Sequence, residues 1–115
     1  MINDESLDQL FLSARTANGW LSGDVTDTQL KQVFDLMKMP PTSANCQPAR
    51  LVFLRSAEAK ERLRPALTPG NLDKTLKAPV VTIIAHDTQF QEHLPRLFPH
   101  APDFRSMFDG EENRE

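Results

Sequence analysis

Apolar residues near the start of the chain repeat at helical intervals. Leu7, Leu10, Phe11 and Ala14 recur every three or four positions. This spacing predicts an amphipathic helix that ends near Asn18-Gly19.

A second helical pattern begins at Thr26. Gln29 follows three residues later, which is the spacing of a capping box, and the adjacent prolines Pro40 and Pro41 end the pattern. The segment between them therefore predicts an amphipathic helix. Its apolar stripe consists of Leu30, Val33, Phe34 and Met37.

Two short runs of apolar residues predict β-strands. Leu51 to Leu54 forms the first run, and Val80 to Ala85 forms the second, directly after Pro79. Continuous apolar character is typical of a strand buried on both faces. Two strands do not make a self-sufficient sheet, so we expect an open, association-prone edge along the second strand.

Further helices are predicted between and after these strands. Ser56 is a candidate cap for a third helix that runs to about Leu67. Residues 69–71 have turn chemistry and precede a helical turn over residues 72–77, and a proline-interrupted helix covers residues 89–97. About four helices and two buried strands indicate an α+β or α/β arrangement. The proline-rich segment that follows carries apolar residues in need of cover: Phe98, Phe104, Met107 and Phe108.

Composition narrows the class of protein. A chain of 115 residues with 39% hydrophobic and 25% charged residues fits one globular domain. No apolar run approaches the roughly 20 residues that span a bilayer, and no secretory signal opens the chain. The net charge of −3 and scattered basic residues argue against nucleic acid. We therefore expect a cytoplasmic protein without a membrane or nucleic-acid partner.

The most informative segment for chemistry is Thr42-Ser43-Ala44-Asn45-Cys46-Gln47-Pro48. Short polar side chains between a helix and a strand offer donors and acceptors at several angles, which suits the edge of a polar heteroaromatic ligand. The alternative is that Ser and Asn only shape a turn. Cys46 has no basic neighbour in sequence, so we interpret it as a packing residue rather than a nucleophile.

Two other groups of residues invite a functional reading. His86, His93 and His100 are evenly spaced, but they fall in a strand end, a broken helix and a loop, so no metal site is predicted. Glu111 and Glu112 are adjacent near the end of the chain, and we expect both to be solvated.

Five segments together resemble one known family, the FMN-dependent nitroreductases. They are residues 14–20, 42–50, 62–67, 70–76 and 94–100. The likeness is closest to the malonic semialdehyde (3-hydroxypropionate) reductase branch. Family members are longer, so the resemblance implies that residues 1–115 are the N-terminal part of a single nitroreductase-like α+β domain.

The resemblance implies an oxidoreductase that holds FMN between the two subunits of a homodimer. Hydride would pass from NADH or NADPH to the flavin and on to malonic semialdehyde or a related small electrophile. No catalytic side chain is expected, because the flavin carries the chemistry. The alternatives are a non-catalytic flavin- or nucleotide-binding module and an inactive fragment.

Flavin-binding positions follow from the same resemblance. A guanidinium near the start would bind the FMN phosphate, although an arginine there also suits the end of a helix. A lysine would lie near the flavin pyrimidine, although a lysine on a helix turn is usually solvated. The matched positions are Arg15, Thr16, Asn18, Ser43, Asn45, Gln47, Asn71 and Lys74.

Overall fold

A two-stranded antiparallel sheet organises the chain in the computed structural model, which describes residues 2–110. Strand β1 spans Ala49–Leu54 and strand β2 spans Val81–His86. Their register runs from the pair Ala49↔His86 to the pair Leu54↔Val81. Antiparallel pairing with helices in the connections makes the fold α+β, as predicted.

Short helices surround this sheet. The α-helices within residues 2–110 are α1 (Asp4–Leu7), α2 (Asp27–Met37), α3 (Ala57–Glu61), α4 (Pro69–Lys77) and α5 (Leu94–Leu97). A π-helical turn covers Asp8–Leu12, and 3-10 turns cover Ser43–Asn45, Arg64–Ala66, Phe90–His93 and Pro102–Phe108.

Helix α2 forms as its sequence predicts. The backbone N–H of Gln29 donates to the Thr26 hydroxyl at 3.3 Å, and the Gln29 side chain accepts from the Thr26 N–H at 2.8 Å. This reciprocal pair satisfies donors that a helix start leaves free. The helix ends at Met37, before the two prolines.

The first helix is shorter than predicted. It turns π-helical at Asp8 and ends at Leu12, well before Asn18. The Ser13 hydroxyl donates to the Asp8 carboxylate at 2.8 Å, which favours a helix end at this point. Phe11 is 67% exposed, so little tertiary packing supports a longer helix.

Two predictions around α3 and α4 need correction. Helix α3 is capped by the Ser56 hydroxyl as predicted, but it ends at Glu61 rather than near Leu67. Residues 69–71 are the first turn of α4 rather than a separate turn. The reason is that Pro69 takes the first helical position, where its missing N–H costs no hydrogen bond.

The strands are not buried on both faces, which corrects the sequence expectation. Val52, Ile83 and Ile84 are exposed, and Ile84 exposes 78% of its surface. Among the described residues the sheet has only two strands, so no third strand pairs with either edge. A run of apolar residues indicates that a strand prefers to be buried, and contacts among residues 2–110 do not bury these side chains fully.

Only a small core forms. Ala78 and Leu94 are its buried apolar residues within the described range, and the Leu94 side chain is 1% exposed. The buried Lys60 ammonium donates to the carbonyl oxygen of Ala78 at 2.7 Å, which ties α3 to the start of the segment leading into β2. This bond satisfies a charge that would otherwise be costly to bury.

Aromatic rings near the end of the described range cover one another. The Phe98 and Phe104 centroids lie 5.6 Å apart, and Phe108 lies 5.8 Å from Phe104 and 5.0 Å from Phe90. The predicted need for cover is therefore largely met locally. Met107 remains 61% exposed. The helix predicted over residues 89–97 is instead a 3-10 turn followed by α5.

The chain exposes more surface than its mass requires. Its accessible area is 9231 Å², whereas a compact monomer of this mass exposes roughly 6,300 Å². The radius of gyration is 18.3 Å, against about 13 Å for a compact domain of this length. Surface that a complete fold would bury is therefore open to solvent.

We predict that Thr26→Ala destabilises helix α2 by about 1 kcal/mol, because it removes the capping hydroxyl. Thr28→Ala is the matched control, since Thr28 lies inside the same helix and is exposed. Thermal unfolding followed by far-UV circular dichroism measures both. The control should be neutral or slightly stabilising, because alanine favours helix. Equal losses in the two variants would contradict the role of the capping box.

Candidate functional site

The polar loop between α2 and β1 adopts an unusual backbone. Ala44, Asn45 and Gln47 have φ values of 48°, 50° and 45°. Left-handed backbone at non-glycine residues is sparsely populated, and it persists where surrounding contacts hold it. Such clusters are found most often at ligand-binding and active sites, so this geometry supports a functional loop rather than an ordinary turn.

Side-chain hydrogen bonds hold this loop in place. The Asn45 amide donates to the carbonyl oxygen of Leu97 at 2.9 Å, and its oxygen accepts from the Gln47 amide at 3.0 Å. The Gln47 backbone N–H donates to the Thr42 hydroxyl at 3.2 Å. Asn45 thus fixes the loop against α5, and its amide is already bonded within the protein.

A cleft of about 800 Å³ lies beside the loop. It is bordered by the end of α2, the start of β1, and α5, and Gln47 lines it. Ser43 and Asn45 do not line it, and both are exposed. Of the three polar residues predicted to bind a ligand, the structure brings Gln47 alone to this cleft.

A second cleft, of about 480 Å³, joins the N-terminal segment to helix α4. Asn18, Trp20 and Lys74 line it. The Trp20 indole N–H donates to the carbonyl oxygen of Lys74 at 2.7 Å, across 54 residues of sequence. Two predicted flavin-binding residues, Asn18 and Lys74, therefore meet in one cleft.

Arg15, Thr16 and Asn71 are exposed and line neither cleft. The Arg15 guanidinium donates to the carbonyl oxygens of Leu12 at 3.1 Å and Ala14 at 2.7 Å. Arg15 thus takes the helix-end position that was the alternative to phosphate binding. The eight predicted residues fall into separate groups instead of one pocket.

Sequence reasoning missed an ion-pair group beside the larger cleft. The Asp87 carboxylate accepts from the Arg50 guanidinium at 2.6 Å and lies 3.3 Å from Nε2 of His93. The Gln89 N–H also donates to Asp87 at 2.9 Å, and these bonds lower the pKa of Asp87 below its usual 3.8. The sequence did contain a signal for this group, because Arg50 lies near the start of β1 and Asp87 directly follows β2.

The other candidate groups stay apart. Within residues 2–110 no three His, Cys, Asp or Glu side chains come close enough to hold a metal ion. The His100 ring contacts the Phe98 ring with centroids 3.9 Å apart and the planes tilted by 58°, and Cys46 is half-buried. Glu111 and Glu112 lie outside the described residues. No helix over residues 2–110 has the length and apolar character to cross a membrane.

Comparison with known proteins identifies relatives. The chain is 54% identical over 97% of its length to a protein of Cupriavidus pinatubonensis. It is 53% identical over 93% to HadB of Ralstonia pickettii, and 59% identical over 95% to a protein of Burkholderia lata. All three carry the provisional name NADH dehydrogenase/NAD(P)H nitroreductase. No protein-family profile matches the chain.

The alignments cover only part of each relative. The chain spans 57%, 55% and 55% of these three proteins, about half of their length. It is therefore a partial-length homologue of proteins named as oxidoreductases. The homology implies a nitroreductase-like fold, which agrees with the α+β architecture.

We predict that the free energy of unfolding of the Asp87→Asn variant decreases less at acid pH than that of the wild-type chain. Because the folded-state pKa of Asp87 is lowered, its stabilisation is present above pH 3.8 and is lost as pH falls through the folded-state pKa. The wild-type chain should lose stability as pH falls below 3.8 and through the lowered folded-state pKa, and the variant should lose less. Urea unfolding across this range measures the effect. Asp24→Asn, at an exposed carboxylate elsewhere, is the control. The same pH dependence of stability in Asp87→Asn and Asp24→Asn would contradict the lowered pKa of Asp87.

Proposed function

We propose that this chain forms the flavin-binding part of an FMN-dependent NAD(P)H oxidoreductase. Its relatives are named as NADH dehydrogenases or NAD(P)H nitroreductases, and the identity extends over nearly the whole chain. The residues of the family's flavin motifs are present at Ser43, Asn45 and Gln47. These similarities support the class of reaction, and the cofactor is inferred from the family.

One structural observation carries this proposal further. The hydrogen bond from Trp20 to the Lys74 carbonyl brings the segment containing Asn18 against helix α4. Asn18 and Lys74 were matched to flavin-binding positions independently, in different motifs. Their meeting in one cleft is what a shared ligand requires.

The donor set of the second cleft fits a flavin. The Lys74 ammonium group and the Asn18 amide offer donors, and Trp20 offers an aromatic wall. The Lys77 ammonium group also lines the cleft, 3.5 Å from the Asp73 carboxylate. Bound FMN would supply the hydride chemistry, while the protein binds and orients it. Lys74 would favour negative charge on the ring, and Asn18 would bond its polar edge.

The substrate and assembly are part of the same proposal. Malonic semialdehyde, reduced to 3-hydroxypropionate, or a related small electrophile is the proposed acceptor, and the cytoplasm is the proposed location. A homodimer is proposed because the chain exposes 9231 Å² and leaves Ile84 open on β2. Apolar sheet surface of this kind is normally covered in an assembled protein.

FMN titration of the 115-residue chain tests this proposal. We expect quenching of flavin fluorescence on binding, with loss of the yellow absorbance when NADPH or NADH is added. Lys74→Gln should weaken FMN about fivefold, as expected for one charge-assisted contact in a partly open site. Lys31→Gln is the control, because Lys31 lies on α2 and pairs with Asp35.

The outcomes separate the candidate functions. Flavin that binds but is not bleached by either nicotinamide would favour the alternative, a non-catalytic flavin-binding module. Absence of FMN binding would reject the flavin site of this chain. Equal FMN affinity in Lys74→Gln and Lys31→Gln would show that Lys74 does not contribute to the flavin site.

A further prediction separates the two interpretations of Arg15. If its guanidinium leaves the Leu12 and Ala14 carbonyls to bind the phosphate, Arg15→Ala should weaken FMN about tenfold and riboflavin hardly at all. Fluorescence titration with both flavins measures the difference, with Arg62→Ala as the control. Equal losses for FMN and riboflavin would mean that Arg15 serves only to end the helix.

A further inference from the structure

The larger cleft, of about 800 Å³, has a one-sided distribution of charge. Lys38, Arg50, His93 and Arg96 line it, and no carboxylate does. This contrasts with the whole chain, in which acidic residues exceed basic ones and the net charge is −3. Basic side chains around a concave surface focus a positive potential there.

Three of these basic groups already have partners outside the lining, since Nε2 of His93 also lies 3.3 Å from the Asp87 carboxylate. Asp35 accepts from Lys38 at 2.6 Å, and Asp87 accepts from Arg50 at 2.6 Å. Arg96 differs, because its side chain makes no hydrogen bond or ion pair with residues 2–110. An exposed guanidinium at the edge of the cleft is therefore available to an anion.

Most of the remaining lining is apolar, and Thr42 and Gln47 are its other polar residues. Phe34 and Met37 of α2, Leu51 of β1 and Leu97 of α5 contribute to this apolar lining. A volume of about 800 Å³ lies within the range of small-molecule sites, which are mostly apolar with a few polar groups that fix orientation. The cleft has both of these components.

We propose that this cleft binds a small organic carboxylate with an apolar body. The planar Arg96 guanidinium matches a carboxylate through paired hydrogen bonds. The apolar body lies against Phe34, Met37 and Leu97. The inference concerns binding alone and does not depend on flavin chemistry in the second cleft.

The larger cleft lies directly beside the polar loop between α2 and β1. Gln47, one of the matched flavin positions, lines the same cleft. The loop is joined to α5, which carries Arg96, through the bond from Asn45 to Leu97. A carboxylate bound here would lie beside the loop.

An NMR titration of the 115-residue chain with 1-naphthoate tests the proposal. Naphthoate should shift the amides of Gln47, Leu51 and Leu97, and neutral 1-naphthalenemethanol should bind about tenfold more weakly. Arg96→Gln should reduce this preference for the anion by a similar factor. Arg62→Gln is the matched control, because Arg62 is also exposed but does not line the cleft.

Each other outcome overturns a stated part of the proposal. Equal affinity for 1-naphthoate and 1-naphthalenemethanol would show that the cleft binds apolar groups but does not recognise an anion. Inorganic phosphate that shifts the same amides as strongly as naphthoate would reject a carboxylate site. If FMN displaced naphthoate in direct competition, the cleft would be part of the flavin site. Unchanged affinity in Arg96→Gln would remove Arg96 from recognition.

Discussion

The pairing of β1 with β2 is the interaction on which the rest of the structure depends. It joins residues 49–54 to residues 81–86, and it is the most extensive contact between distant segments of the described chain. Beyond the ladder, the Asp87 N–H donates to the Pro48 carbonyl at 2.9 Å, and the Arg50 guanidinium binds the Asp87 carboxylate. These bonds fix the point at which the polar loop enters the sheet, and so they determine where both loop and cleft lie.

The sheet also explains why the chain remains so open. A two-stranded ladder satisfies the inner backbone groups of each strand, but it leaves two edges and most of both faces uncovered. Helices α3 and α4 cover little of it, and the deepest burial is confined to Ala78 and Leu94 with the polar residues Lys60 and Gln91. The relatives are nearly twice as long, and the excess exposed surface is consistent with a fold that other segments or a second copy complete.

Local signals in the sequence predicted local structure well. The capping box at Thr26, the Ser56 cap and the prolines after α2 each act within a few residues, and each appears where predicted. Burial of the strands was predicted wrongly, because an apolar run reveals what a strand prefers and not whether a partner is present. The end of the first helix was missed because its apolar stripe has nothing to pack against.

In the candidate site, too, local motifs were predictable from the sequence, whereas contacts between distant segments were not. Asn18 and Lys74 were matched through motifs, and the hydrogen bond from Trp20 to the Lys74 carbonyl brings their segments together. The Arg50–Asp87–His93 group and the carboxylate-free lining of the larger cleft depend on strand register, which the sequence alone did not specify.

The polar loop has a structural cost that its own hydrogen bonds offset. Three non-glycine residues with positive φ each cost of order 1 kcal/mol or more, so a purely connecting loop would gain by using glycine. Asn45 bonds both the Leu97 carbonyl and Gln47, which uses its side chain to hold the strained geometry. The Asn45 amide keeps a second N–H and a second oxygen lone pair, so a ligand at this loop can bond Ser43, Asn45, Gln47 and the backbone without breaking the Leu97 bond. Because the Asn45–Leu97 bond joins the loop to α5, which carries Arg96, a ligand that shifted Asn45 would couple binding at the loop thermodynamically to binding in the larger cleft.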